Sequence, residues 1–177
     1  PEAPTAELFY TAYTLDGADV SKRPITFLFN GGPGAASVYL HLTAVGPMTV
    51  AMAGDGSFPS VPARLQPNPH SWLHFTDLVF IDPVDTGFSR ALPGPKGTAD
   101  PTPYFEVEAD LRSLGQFMRR YLTVNGRWPS PKAVAGESYG GQRVAALTKL
   151  LMEDYDINLN RAVLISPALR ATLPGLD

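Results

Sequence analysis

The sequence predicts an α/β fold, a mainly parallel sheet with helices on both faces. Three observations predict it. Short apolar runs of strand composition alternate with longer stretches of helical period. Glycine-rich turns stand where two of those runs end. The chain has 177 residues, 44% of them hydrophobic and 18% charged, which is enough for one domain with a core.

Taken in order, residues 7–14 have strand composition and Asp16-Gly17 signals a turn. Residues 25–29 are a second strand, and residues 38–42 a short helix. Residues 48–52 read as a strand, residues 55–68 as a polar surface loop, and residues 78–82 as a buried strand. Residues 91–102 are rich in proline and glycine and read as a loop. Thr102-Pro103 then predicts a helix start, with threonine as N-cap and proline at the first helical position. Val107, Leu111, Leu114, Met118 and Tyr121 recur every three or four residues as its core face, and Asn125-Gly126 ends it. A strand over 132–135 and a helix over about 141–154 follow, the helix with Val144, Leu147 and Leu151 on one face. Residues 161–166 form the last predicted strand.

Composition narrows the function classes. A net charge of −3 gives no reason to expect nucleic acid or an anionic membrane as a partner. There is no apolar run of transmembrane length, and no basic segment followed by an apolar stretch opens the chain. With no cysteines, neither a disulfide nor a thiolate metal site is available. No metal or other cofactor is expected, and no repeat or domain linker stands out.

The chemistry concentrates at Gly136-Glu137-Ser138-Tyr139-Gly140. This is G-x-S-x-G between a predicted strand and a predicted helix, the setting of the nucleophile elbow of an α/β-hydrolase. Glycines flank such a serine because the turn leaves no room for side chains. Ser138 is the candidate nucleophile. On the pattern alone a plain turn is about as good a reading; the flanking strand and helix favour the nucleophile. Acyl transfer also needs two backbone N–H donors for the oxyanion. Tyr139 follows the nucleophile, and Gly32 lies in the loop after the 25–29 strand. That loop fails the dinucleotide-binding pattern at its third glycine, where Ser37 stands, and it lacks the Gly-Lys of a phosphate-binding loop.

Residues 30–37 resemble the N-G-G-P-G-x-x-S segment of the serine carboxypeptidases, peptidase family S10. Asn68-Pro69-His70-Ser71-Trp72 is similar to that family's N-P-x-S-W. Residues 78–89 are similar to its L-x-F-x-D-x-P-V-G-x-G-F-S, and residues 136–141 to its G-E-S-Y-x-G. The resemblance runs from about Glu7 to Leu169. It is nearest to the bacterial branch, where the aspartate-proline segment lacks an intervening residue, as Asp82-Pro83 does. Ala35 stands where many members carry a cysteine, and Ala44 where many carry a third acid.

The resemblance implies a single, partial α/β-hydrolase catalytic domain over residues 1–177, reaching the strand after the nucleophile helix. It implies a peptide substrate with a free C-terminus. The terminal carboxylate would be held by Asn30 through its amide, by Gly31 through its N–H, and by Glu137, which can donate only in its protonated form. A plain turn residue and a support of the elbow are the alternatives for Asn30 and Glu137. A secreted or periplasmic location goes with the family. The triad acid and histidine should follow the serine. Yet His41, His70 and His74 all precede it, and Glu153, Asp154, Asp156 and Asp177 offer no acid beyond a further strand. His41, His70 and His74 are therefore read as structural or surface residues. The chain is expected to stop where a helical cap would begin and to be inactive by itself, its base coming from a C-terminal segment or a second chain. An acyltransferase or lyase of the same family, and a non-catalytic fragment, are the other readings.

Overall fold

The computed structural model describes residues 3–57, 62–94 and 97–168. The chain begins with β1 (Ala6–Glu7), β2 (Tyr10–Tyr13) and β3 (Ile25–Phe29). A short helix α1 (Val38–Leu40) runs into a π-helical turn (His41–Val45), followed by β4 (Met48–Val50) and β5 (Leu65–Pro67). A 3₁₀ turn (Trp72–His74) leads to β6 (Asp77–Ile81) and β7 (Arg90–Ala91). A second 3₁₀ turn (Thr102–Phe105) precedes α2 (Val107–Val124). Then come β8 (Lys132–Glu137), α3 (Tyr139–Tyr155) and β9 (Arg161–Ile165).

Five strands form the central sheet in the order β2-β6-β3-β8-β9. Only β2 runs antiparallel, against β6; the other three pairings are parallel. The period of two in β3 and β6 builds two cores. Ile25, Phe27, Phe29, Val79 and Ile81 face α2 and α3, while Leu28, Leu78 and Phe80 face Leu40, Val45 and Trp72. Both long helices thus cover one face, and only α1 with the short helical turns covers the other. On α2 the predicted stripe is buried at Leu111, Leu114, Met118 and Tyr121, but Val107 at its start is exposed.

Several expectations need correction. The predicted first strand is two strands, because the chain changes partners at Phe9: β1 pairs with β7, and β2 with β6. Phe9 bridges them, its N–H donating to Ser89 Oγ at 2.8 Å and its carbonyl accepting from Asp82 N at 3.0 Å. The predicted loop 55–68 contains β5, which is held by pairing with β4, a contact with no local pattern to announce it. Thr102-Pro103 starts a 3₁₀ turn rather than the long helix. Glu106 is extended at ψ 133°, and α2 begins at Val107 without a side-chain cap. The strand expected over 78–82 begins one residue earlier, at Asp77.

Candidate active site

Asn30 and Glu137 stand at the carboxyl ends of neighbouring parallel strands, with Ser138 directly after β8. That edge is where open α/β sheets bind ligands. Ser138 turns the chain from β8 into α3 at φ 56°, ψ −119°, a conformation unfavourable for a residue with a side chain. Neighbouring contacts hold it there. Its N–H donates to Ile165 O at 3.0 Å, and its carbonyl accepts from Gly141 N at 2.9 Å and Ala168 N at 3.0 Å. A Cβ on Gly136 would fall 2.1 Å from the Gly140 carbonyl oxygen, and one on Gly140 would fall 2.6 Å from that of Phe29. The glycines of G-x-S-x-G are thus a packing requirement of the turn.

The loop after β3 lies against the elbow. A Cβ on Gly31 would sit 2.5 Å from Tyr139 N and 2.7 Å from Glu137 O. Gly32 has φ 104°, which only glycine adopts without strain. Among the described residues, the N–H groups of Gly31, Gly32 and Tyr139 have no protein acceptor. Three unengaged donors thus lie in the elbow and in the loop packed against it, at a helix N-terminus whose dipole favours negative charge.

Asn30 is 3% exposed and held on three sides. Its Nδ2 donates to Glu137 Oε2 at 3.1 Å, its Oδ1 accepts from Leu40 N at 2.9 Å, and its carbonyl accepts from Arg143 at 3.0 Å. Nδ2 keeps a second N–H. Asp82 braces the loop from the other side: its Oδ1 accepts from Ser37 N at 2.7 Å and its Oδ2 from Phe88 N at 3.4 Å. A cavity of about 320 Å³ opens beside the elbow between Pro33, Gly34, Val84, Thr86, Tyr139 and Arg143. A larger hollow of about 440 Å³ lies over Phe9 and Phe88, but no nucleophile lines it.

The structure therefore brings together all six predicted site residues, Asn30, Gly31, Gly32, Glu137, Ser138 and Tyr139. It brings no histidine to them. His41 Nε2 bonds the Tyr13 hydroxyl at 2.6 Å, and its ring stacks on Phe80 at 4.7 Å. Burial pushes its pKa below the ordinary histidine value, against the weaker opposite pull of the Asp82 carboxylate. His70 and His74 are exposed. Asp154 pairs with Arg112 at 2.7 Å and Asp156 caps the end of α3. These groups lie roughly 25 Å from Ser138, at 1.5 Å rise per residue along the helix. Asp177 and Leu169 lie outside the described residues. Ala44 is exposed, and its carbonyl accepts from Asn68 Nδ2 at 2.7 Å. Among the described residues, no cluster of three or more histidine or carboxylate side chains could hold a metal, and no helix is long and apolar enough to cross a membrane.

Sequence reasoning missed Arg143 and Asp110, 5% and 7% exposed, which pair at 2.7 Å. A signal existed. Asp110 falls on the apolar stripe of α2 between Val107 and Leu114, and Arg143 falls four residues before Leu147 on that of α3. Opposite charges embedded in two buried stripes have to find each other.

A family model described as serine carboxypeptidase matches residues 1–171. The pheromone-processing carboxypeptidase KEX1 of Puccinia graminis f. sp. tritici is 28% identical over 76% of this chain and 19% of its own length. Serine carboxypeptidase-like 36 of Arabidopsis thaliana is 29% identical over 82% of this chain and 28% of its own. The crystal structure of Kex1, a prohormone-processing carboxypeptidase from Saccharomyces cerevisiae, superposes with a TM-score of 0.69 at 27% identity. That match covers 90% of this chain and 33% of the other. The peroxisomal α/β-hydrolase Lpx1 shares the fold, with a TM-score of 0.52 at 19% identity. The chain thus spans 19% to 28% of the length of these curated relatives. They are fungal and plant proteins, and nothing in them supports the expected bacterial branch.

Proposed function

The chain belongs to the serine carboxypeptidase family, and from that premise we propose that the protein hydrolyses C-terminal peptide bonds through an acyl-enzyme on Ser138. The observation that carries the reading is the meeting of two parts at one sheet edge. A serine at φ 56° is followed by one N–H donor without a protein acceptor and faces a glycine loop that carries two more, and the part-buried Asn30–Glu137 pair stands next to it at the strand ends.

In this reading Ser138 Oγ attacks the scissile carbonyl carbon. The N–H groups of Gly32 and Tyr139 receive the oxyanion. The amide of Asn30, the N–H of Gly31 and the acid form of Glu137 hold the terminal carboxylate of the substrate. Collapse of the tetrahedral intermediate releases the C-terminal amino acid, and water then hydrolyses the ester on Ser138. A base must take the Ser138 proton and return it to the leaving amine. The proposal assigns that base and its orienting acid to a segment or second chain outside residues 1–177, which here form one partial catalytic domain.

Blocked dipeptides test this in the full-length gene product. Substrates with a free C-terminus should release their last amino acid, and their amidated counterparts should react poorly. Equal cleavage of both would overturn the carboxylate reading and leave a general serine hydrolase.

A further inference from the structure

We propose that Arg143 is a positioning residue that aims the Gly31 N–H at the carboxylate of the substrate; this rests on the carboxypeptidase reading above. Arg143 sits one turn into α3, five residues after Ser138. Its Nε donates to Asp110 Oδ2 at 2.7 Å on α2, and its Nη1 donates to the Asn30 carbonyl at 3.0 Å. Its guanidinium also lies 4.9 Å from the ring of Tyr139, within cation–π range.

The Asn30 carbonyl is the informative partner. A peptide unit is planar, so the Asn30 C=O and the Gly31 N–H point in opposite directions within one rigid plane. Fixing the oxygen fixes the direction of the N–H. The next peptide is set in the same way, because Gly31 O accepts from Ala35 N at 3.2 Å and thereby orients the Gly32 N–H. The two donors thus have separate guides: Arg143 for the carboxylate contact, and the loop itself for the oxyanion contact. Gly140 lets Arg143 reach its target, since a Cβ there would crowd Asn30 O at 3.1 Å.

Mere packing does not call for this arrangement. A buried ion pair can often be replaced by apolar side chains without loss of stability. Arginine suits the task because its rigid fork holds two acceptors on different elements at once; the single ammonium of lysine is a point charge.

The test compares wild type, Arg143→Met and Arg143→Lys in the full-length gene product. Each is assayed on free-acid and amidated peptides, alongside fluorophosphonate labelling of Ser138 and thermal unfolding. Arg143→Met should lower kcat/KM for free-acid peptides roughly 10- to 100-fold, chiefly through KM, the scale expected for a displaced contact. Amidated peptides and the labelling rate should change little. Arg143→Lys leaves Asp110 a cation, so it should restore the melting temperature more fully than the free-acid preference. A wild-type preference that persists undiminished in a folded Arg143→Met or Arg143→Lys protein would overturn this inference alone. Absence of the preference in wild type would overturn the carboxylate reading, and this inference with it.

Discussion

The two ends of the central sheet are built on opposite principles. At the amino end, Asp77 is 2% exposed and satisfied throughout. It accepts from Arg23 Nε at 2.6 Å, Arg127 Nη1 at 2.6 Å and Leu15 N at 3.1 Å. Arg127 also donates to Ser130 Oγ and the Arg23 carbonyl. Asp77 there ties three separate segments together, those of Leu15, Arg23 and Arg127. At the carboxyl end the chain adopts φ 56° at Ser138 and φ 104° at Gly32, and leaves N–H donors unengaged. The unfavourable backbone of Ser138 and the free donors beside it stand at one edge, while a closed ion network secures the other. The difference teaches where to look for chemistry: at the edge whose local geometry costs stability.

Variants can break or sharpen that contrast. The largest effect is expected at Ser138. Ser138→Gly in the full-length gene product should reduce turnover on the order of 10⁶-fold, the scale of losing a serine nucleophile. It should also raise stability by about 1 kcal/mol, because glycine relieves the unfavourable φ and ψ. Chemical denaturation reads the second quantity. A destabilised Ser138→Gly protein would contradict the assignment of strain to this edge.

Asp77→Ala should do the reverse. It leaves the buried guanidinium of Arg127 and the part-buried one of Arg23 without their carboxylate and should cost about 3–5 kcal/mol. The rate of Ser138 labelling in the folded fraction should stay unchanged. A selective loss of activity at normal stability would show that the two ends are not independent. Gly32→Ala comes next. Its Cβ would stand 2.8 Å from Gly34 N, in a backbone conformation that alanine resists. It should lower kcat roughly 10²–10³-fold, the range for a lost oxyanion donor. A loss confined to KM would move Gly32 from the oxyanion to substrate binding.

The smallest effect belongs to His41. Its folded pKa lies below the ordinary value of about 6.5. Below that value the unfolded chain takes up a proton that the folded chain refuses. Stability should therefore fall as pH drops from about 6.5 toward the pKa of the folded state, and be flat above. Denaturant midpoints across that window should show the slope in wild type and not in His41→Gln.

Legibility followed the same divide. The site edge is readable because steric demands fix residue types in sequence: glycine at 136 and 140 against facing carbonyls, and glycine at 31 and 32 in the loop. The strand Ile25–Phe29 was equally plain, as five residues buried on both faces. The start of α2 is not legible from Thr102-Pro103, because an N-cap followed by proline marks helical backbone without distinguishing a 3₁₀ turn from an α-helix. The acidic pair Glu108 and Asp110 in the first α-helical turn was the better marker. β5 and the switch at Phe9 depend on partners far along the chain, and so does the Arg143–Asp110 pair, 33 residues apart in sequence.

The central claim is that Ser138 is the nucleophile at this edge. The most direct measurement is fluorophosphonate labelling of the full-length gene product, followed by mass mapping of the modified peptide. The account predicts one adduct, on Ser138, whose formation is slowed by peptides with a free C-terminus and not by amidated ones. An adduct on another residue, or none on Ser138 in a protein that releases C-terminal amino acids, would contradict it.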